Sequence, residues 1–183
     1  LNARADFLEF IADASGTHAF AGGALQGQRK TFESLPIINP DNADPAIYWG
    51  DGDPNIAENL VSQAYWRRSR YLENTELDGL CSRYLGWAWI TLVFDRWEDD
   101  FRHRYASEIG CTHDQVMCDV MGELRHLRHD VSHNKGIATR GHSGKCVVLG
   151  HWFTIGAFIN ISGENTRQFY DLIYDESAVY RRS

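Results

Sequence analysis

At about 100° per residue, Met117, Val120, Met121, Leu124, Leu127 and Val131 fall on one side of a single helix. No other feature constrains the chain as much, because a helix with one apolar face must bury that face against other elements. The stretch 112–136 carries its own start and stop signals. Thr112 with Gln115 makes a capping box for otherwise orphan N–H groups and predicts the helix start. Gly136 stands where a left-handed C-cap is needed, and Lys135 suits the negative end of the helix dipole. The opposite side carries Arg125, His126, His129 and His133, with Arg128 at the boundary. Solvated helix faces are usually Glu and Lys, so a face of Arg and His implies a chemical use.

The remaining elements follow from periodicity and breakers. Phe7, Leu8, Phe10 and Ile11 predict a short amphipathic helix stopped near Gly16. Residues 21–54 hold Gly22, Gly23 and all four prolines (Pro36, Pro40, Pro45 and Pro54), which argues against a long helix. They read as an insertion with short extended pieces at 34–38 and 46–49. From Asn55, the recurrence of Ile56, Leu60, Val61, Ala64 and Tyr65 predicts a helix. The run from Trp66 to Tyr71 interleaves bases and aromatics, either to contact RNA or to cover its own rings. A third helix is predicted over 76–105, apolar nearly all round in its middle and closed by the pairs Glu98–Arg102 and Asp100–Arg104. Two short strands are predicted at 147–149 and 157–162, then a helix capped by Asn165 that buries Phe169, Leu172 and Ile173. The fold class that results is mainly α: an antiparallel helical bundle of four to five helices. It is expected as one domain over 1–183, with a small β appendage near 146–162.

Charge narrows the function. A net charge of −7 argues against a protein coated in nucleic acid. Residues 1–60 hold nine acids and three bases, whereas 121–151 hold five Arg/Lys, two acids and five of the eight histidines. A local basic patch on an acidic body suits RNA held in one cleft. Cys81, Cys111, Cys118 and Cys146 form no C-x-x-C pair and read as reduced thiols, so a cytoplasmic protein is expected. The longest mostly apolar run, 84–94, is too short for a membrane span.

The string Arg128-His129-Asp130-Val131-Ser132-His133-Asn134-Lys135-Gly136, closing an amphipathic helix, resembles the R-x-x-x-x-H motif of HEPN-domain ribonucleases. The polar residue directly after the arginine, here His129, is part of the likeness, which covers roughly residues 75–165. The resemblance implies a metal-independent endoribonuclease without cofactor, of the toxin or antiviral-defence type. It implies RNA as substrate, a homodimer whose motif helices (112–136) face each other, and an antitoxin or other regulatory protein as partner. It implies Arg128 and His133 as catalytic residues. His129, Asn134, Asp130, Arg125 and Lys135 would support them or bind RNA, with Glu98 and Arg102 on the neighbouring helix orienting the pair.

The residue types fit that chemistry. RNA carries its own nucleophile, the 2′-hydroxyl, so a protein must move protons and neutralise charge on the phosphate. Histidine titrates near neutral pH, and the arginine fork stays charged and can bind two oxygens. Two other readings stand beside it. One is a catalytically silent module of the same fold, a binding or antitoxin-like partner in which Asp130 salt-bridges Arg128 or Arg125. The other is a metal protein built on His129 and His133 with His126 nearby and a third ligand from His142 or His151.

Overall fold

The computed structural model describes residues 2–36, 44–51 and 61–182. It is mainly helical with small antiparallel strand pairs, in line with the expected fold class. The chain divides into two compact units, one of residues 1–22 with 83–183 and the other of residues 23–82. Residues 23–54 of the stretch read as an insertion belong to the second unit. Pro40, Pro54, Ile56 and Leu60 lie outside the described residues.

The first unit is a helical core. Helix α1 (Ala3–Ser34) contributes Ala3, Phe7, Leu8, Ile11 and Ala14 as a buried stripe. Helix α3 (Leu80–Arg96) buries Trp89, Ile90, Val93 and Phe94. It runs into a π turn, Trp97–Phe101, and then α4 (Arg102–Ile109). The helix expected over 76–105 therefore begins later, at Leu80, carries one widened turn and runs on to Ile109. That turn aims both Trp97 and Phe101 inward, where Phe101 stacks on Phe7 (4.6 Å), Trp97 (5.1 Å) and Tyr105 (5.3 Å). Gly110, at φ +67°, ends α4 in the left-handed conformation that glycine adopts without strain.

Three further elements close this unit: α5 (Asp119–His133), α6 (Gly163–Tyr174) and a two-residue pairing of β3 (Val116–Met117) with β4 (Tyr180–Arg181). Helix α6 starts one turn earlier than expected. Ser162 is its N-cap, and Asn165 completes the capping box from the third position. Helix α6 buries Phe169 and Ile173 as predicted. The stretch 146–162 supplies one isolated bridge, Ile137 with Phe158, so the strand pairs form elsewhere than predicted. The reason lies in Glu123. Its carboxylate accepts the N–H groups of Val147 (2.8 Å), Val148 (3.0 Å) and Leu149 (2.7 Å), and three N–H groups gathered on one acid cannot form a ladder.

The second unit corrects two expectations. Helix α1 does not stop near Gly16 but continues to Ser34. A helical glycine costs about 1 kcal/mol, and contacts at the far end offset that cost. Gln26 donates to the carbonyl of Thr75 (2.8 Å), Arg29 donates to the carbonyl of Leu72, and Phe32 packs on Tyr71 (4.7 Å). Residues 61–65 are not helical either. They belong to β2 (Val61–Arg67), which pairs antiparallel with β1 (Ala46–Asp51), Ala46 opposite Arg67. Ile47, Tyr48 and Trp49 on one strand and Tyr65 and Trp66 on the other are strand formers, so pairing overrides the helical spacing. The bases after Trp66 serve the fold. Arg68 donates to the carbonyls of Phe32 and Glu33 at the end of α1, Arg67 to that of Asp44, and Arg70 pairs with Glu73 at 3.0 Å. Asp44 in turn accepts Ser69 N–H (2.7 Å) at the start of α2 (Arg68–Asn74).

Phe101, at 1% exposure among three stacked rings, is the centre of the first core. Phe101→Ala is expected to lose about 3–5 kcal/mol of stability. The midpoint of denaturant unfolding measures it, and a loss under about 1 kcal/mol would show that the core does not rest on this ring.

Candidate functional site

Helix α5 begins later than its sequence signal. The Thr112–Gln115 capping box forms, but it closes a single 3-10 turn, His113–Gln115. The chain then buries Val116 and pairs with the C-terminal strand, where Arg182 donates to the carbonyl of Gln115 (2.8 Å). The long helix starts only at Asp119. From there the predicted stripe holds: Val120, Met121, Leu124 and Leu127 are buried and Val131 is half-buried. Met117 sits in β3 instead.

The end of α5 is fastened by an acid that periodicity placed on neither face. Asp130 has no exposed surface. Its carboxylate accepts Thr139 N–H (2.7 Å) and Oγ1–H (2.8 Å), Ser143 N–H (3.1 Å) and Oγ–H (2.5 Å), and Asn134 Nδ2–H (2.8 Å). Burial raises its pKa, but the hydrogen bonds from Ser143 and Thr139 outweigh that and hold it at about 2. Asp130 is thus committed to the loop 139–143 and forms no salt bridge with Arg128 or Arg125. The carbonyl of Asp130 accepts N–H from both Asn134 and Gly136 (3.0 Å each). Gly136 takes φ +74°, the left-handed cap its sequence predicted, directly after Lys135 at φ +55°. A Cβ on Gly136 would collide with the indole of Trp87, whose Nε1 donates to the carbonyl of Ile159 (2.8 Å).

This fastening places the charged and imidazole groups. The loop held by Asp130 lays His142 flat on His129, with centroids 3.5 Å apart and planes at 14°. His129 also faces His133 at 4.7 Å, and His126 lies 6.0 Å from His142. Burial lowers the pKa of His129, and the neighbouring His142 and His133 lower it further. His126 is lowered likewise, by burial and then by Lys145, His142 and Arg125. Both shifts favour the neutral imidazole. His133 and Lys135 are exposed. Stacked rings keep their nitrogens in near-parallel planes, which is the wrong shape for shared ligation. Among the described residues no group of three His, Cys, Asp or Glu side chains is arranged to hold a metal ion, and His151 bonds to Gln168 (3.0 Å).

Arg128 lies on a separate part of the helix, about 140° from His133. Its Nη2 pairs with Asp95 Oδ1 of α3 at 3.0 Å, and its guanidinium stands 5.2 Å over the Phe94 ring. Glu98 and Arg102 do not join it: Arg102 Nη1 reaches both oxygens of Glu98 (2.8 and 2.9 Å), and the two neutralise each other. Asp95, one turn before Glu98, holds the arginine. Residue type alone does not signal that choice, since Asp95, Glu98, Asp99 and Asp100 are all acids on one helix end. Arg125 stays exposed beside the histidines.

The chain matches no protein-family model, and no curated protein or solved structure is significantly similar to it. Among the described residues, no helix is long and apolar enough to cross a membrane.

Asp130→Ala removes the acceptor for five donors, two of them backbone N–H groups, and is expected to cost at least about 3 kcal/mol. Thermal melts measure this. The same acid predicts an acid limb. Its folded pKa lies below the unfolded 3.8, so its contribution of about 2 kcal/mol is present above that pH and is lost as pH falls toward about 2. His129 and His126 act at higher pH with the same sign. The unfolded chain binds their protons first, so stability falls as pH drops below about 6.5. An acid limb unchanged in Asp130→Ala would contradict the assignment to Asp130.

Proposed function

We propose that this chain is a metal-independent endoribonuclease of the HEPN type. One observation carries the reading. A buried carboxylate, Asp130, fixes the last turns of α5 so that His133 stands exposed beside a stack of imidazoles, with Arg128 aimed separately by Asp95. In this reading Arg128 binds the scissile phosphate, and an imidazole takes the proton of the 2′-hydroxyl. The 2′-oxygen attacks phosphorus, the P–O5′ bond breaks, and the imidazolium formed in the first step returns its proton to the leaving 5′-oxygen. The products are a 2′,3′-cyclic phosphate and a 5′-hydroxyl. His133 is the proton carrier. His129 is its neutral neighbour, and Asn134 stabilises the helix end through Asp130. Because Arg128 and His133 point about 140° apart, a dimer with facing α5 helices supplies one phosphate with groups from both copies. Arg125 and Lys135 add positive charge along the RNA path.

A second reading has one specific observation in its favour. Arg128 is ion-paired within its own chain to Asp95, so its charge is partly spent before any phosphate arrives. That suits a silent module which binds a partner protein and cuts nothing.

Cleavage of labelled single-stranded RNA in excess EDTA separates the two. The nuclease reading expects cyclic-phosphate ends and a fall of at least about 100-fold in both Arg128→Ala and His133→Ala, the scale set by losing a general acid–base group. Cleavage that survives His133→Ala rejects the assignment, and cleavage abolished by EDTA moves the chemistry to a metal.

A further inference from the structure

Within the first unit, an apolar groove of about 850 Å³ runs between α1 and α3, with Val131 of α5 at one side. Its α1 wall steps from Phe10 through Ala14 and Thr17 to Ala21, one face of the helix over about 16 Å. The α3 wall steps from Leu85 through Ala88 and Leu92 to Asp95, about 15 Å. Alanines on both walls keep the valley open, and Leu92 is 52% exposed in it. A slot flanked by two helices for about three turns, with small residues lining it, has the shape that a third helix fills.

The charge of the groove says which helix. The ionised side chains lining it are Asp13 and Asp95. His18 lines it too, with its Nδ1 buried; burial lowers its pKa against an opposing hydrogen bond with the Ile161 backbone, and the net shift disfavours the charged imidazole. Asp95 already pairs with Arg128, and the Arg96 guanidinium lies 5.4 Å over the Phe10 ring, so Asp13 is the uncompensated acid of the lining. An apolar floor bordered by that acid complements an apolar helix face flanked by Lys or Arg.

We propose that this groove binds an amphipathic α-helix of a partner protein. The partner helix presents apolar side chains at i, i+3 or i+4 and i+7, and a basic side chain to Asp13 and Asp95. Asp95 is also the acid that holds Arg128 at 3.0 Å. A cation arriving in the groove competes with Arg128 for that carboxylate, so occupancy loosens the arginine from its intramolecular partner. The consequence for RNA cleavage rests on the nuclease reading above, whereas the groove and its occupant do not.

The test is selection of a displayed library against the full chain. Its peptides are helical, of about 12 residues, with apolar positions fixed at i, i+4 and i+7 and the rest random. Enriched sequences are expected to carry Lys or Arg at one flank. Their binding is expected to fall at least about tenfold, about 1.4 kcal/mol, in Ala88→Trp, which fills the slot, and in Asp13→Lys, which reverses its charge. Ala88 and Asp13 are both exposed, so both variants keep the fold, which circular dichroism checks. Selected helices indifferent to Ala88→Trp overturn the site, and selection without basic enrichment overturns the charge argument. A neutral apolar dye that binds the groove when no helix does makes the occupant a small molecule and overturns the proposal. The coupling has its own readout. The Arg128 Nε–H resonance in an ¹⁵N spectrum, assigned with Arg128→Lys, is expected to move on peptide addition toward its position in Asp95→Asn. A resonance that stays put with peptide bound rejects the coupling whether or not the chain cuts RNA.

Discussion

A carboxylate with no water around it must be surrounded by donors or be neutral, and that requirement organises α5 and the loops that follow it. Asp130 meets it with five hydrogen bonds. Those donors come from Asn134 on the helix end and from Thr139 and Ser143 on the loop that follows, so one acid ties the end of α5 to its own continuation. The same loop carries His142 onto His129. Glu123, two turns earlier on α5, repeats the device with the N–H groups of 147–149. Both loops therefore hang from acids on one helix, and neither needs regular secondary structure to be ordered.

The two halves of the motif are held by different means. His133 is placed locally, by the helix end and the neighbouring His129. Arg128 is placed by α3, through an ion pair with Asp95 and the face of Phe94. A surface pair of this kind is worth about 1 kcal/mol or less, whereas the Asp130 network is desolvated and costly to break. The arginine is thus the adjustable member and the histidine the fixed one.

What the sequence made legible were the patterns with a local cause. The stripe of α5, the left-handed Gly136, the apolar α3 and the burial of Phe169 and Ile173 all follow from periodicity and φ preferences. Apart from the start of α6, which Ser162 and Asn165 set locally, the misses had distant causes. Helix α1 passes its glycines because Gln26, Arg29 and Phe32 find partners about forty residues on, near Leu72 and Thr75. Val61–Arg67 is a strand because Ala46–Asp51 is there to pair with it. Asp130 looked like one polar residue among several in the motif, since nothing in its spacing announces that Thr139 and Ser143 fold back onto it. Choosing Asp95 over Glu98 as the partner of Arg128 required knowing how α3 turns against α5.

The π turn at Trp97–Phe101 amounts to one additional residue accommodated inside a helix. Deleting any one residue there leaves a chain that can still be helical throughout. Loss of one of residues 98–100 converts the widened turn into a regular α turn and leaves the helix downstream facing nearly the same way. The same loss from the regular turns on either side would rotate everything downstream by about 100°, taking Tyr105 off the ring stack and Arg104 away from Asp6. The widened turn is therefore where this helix can shorten and still keep its register.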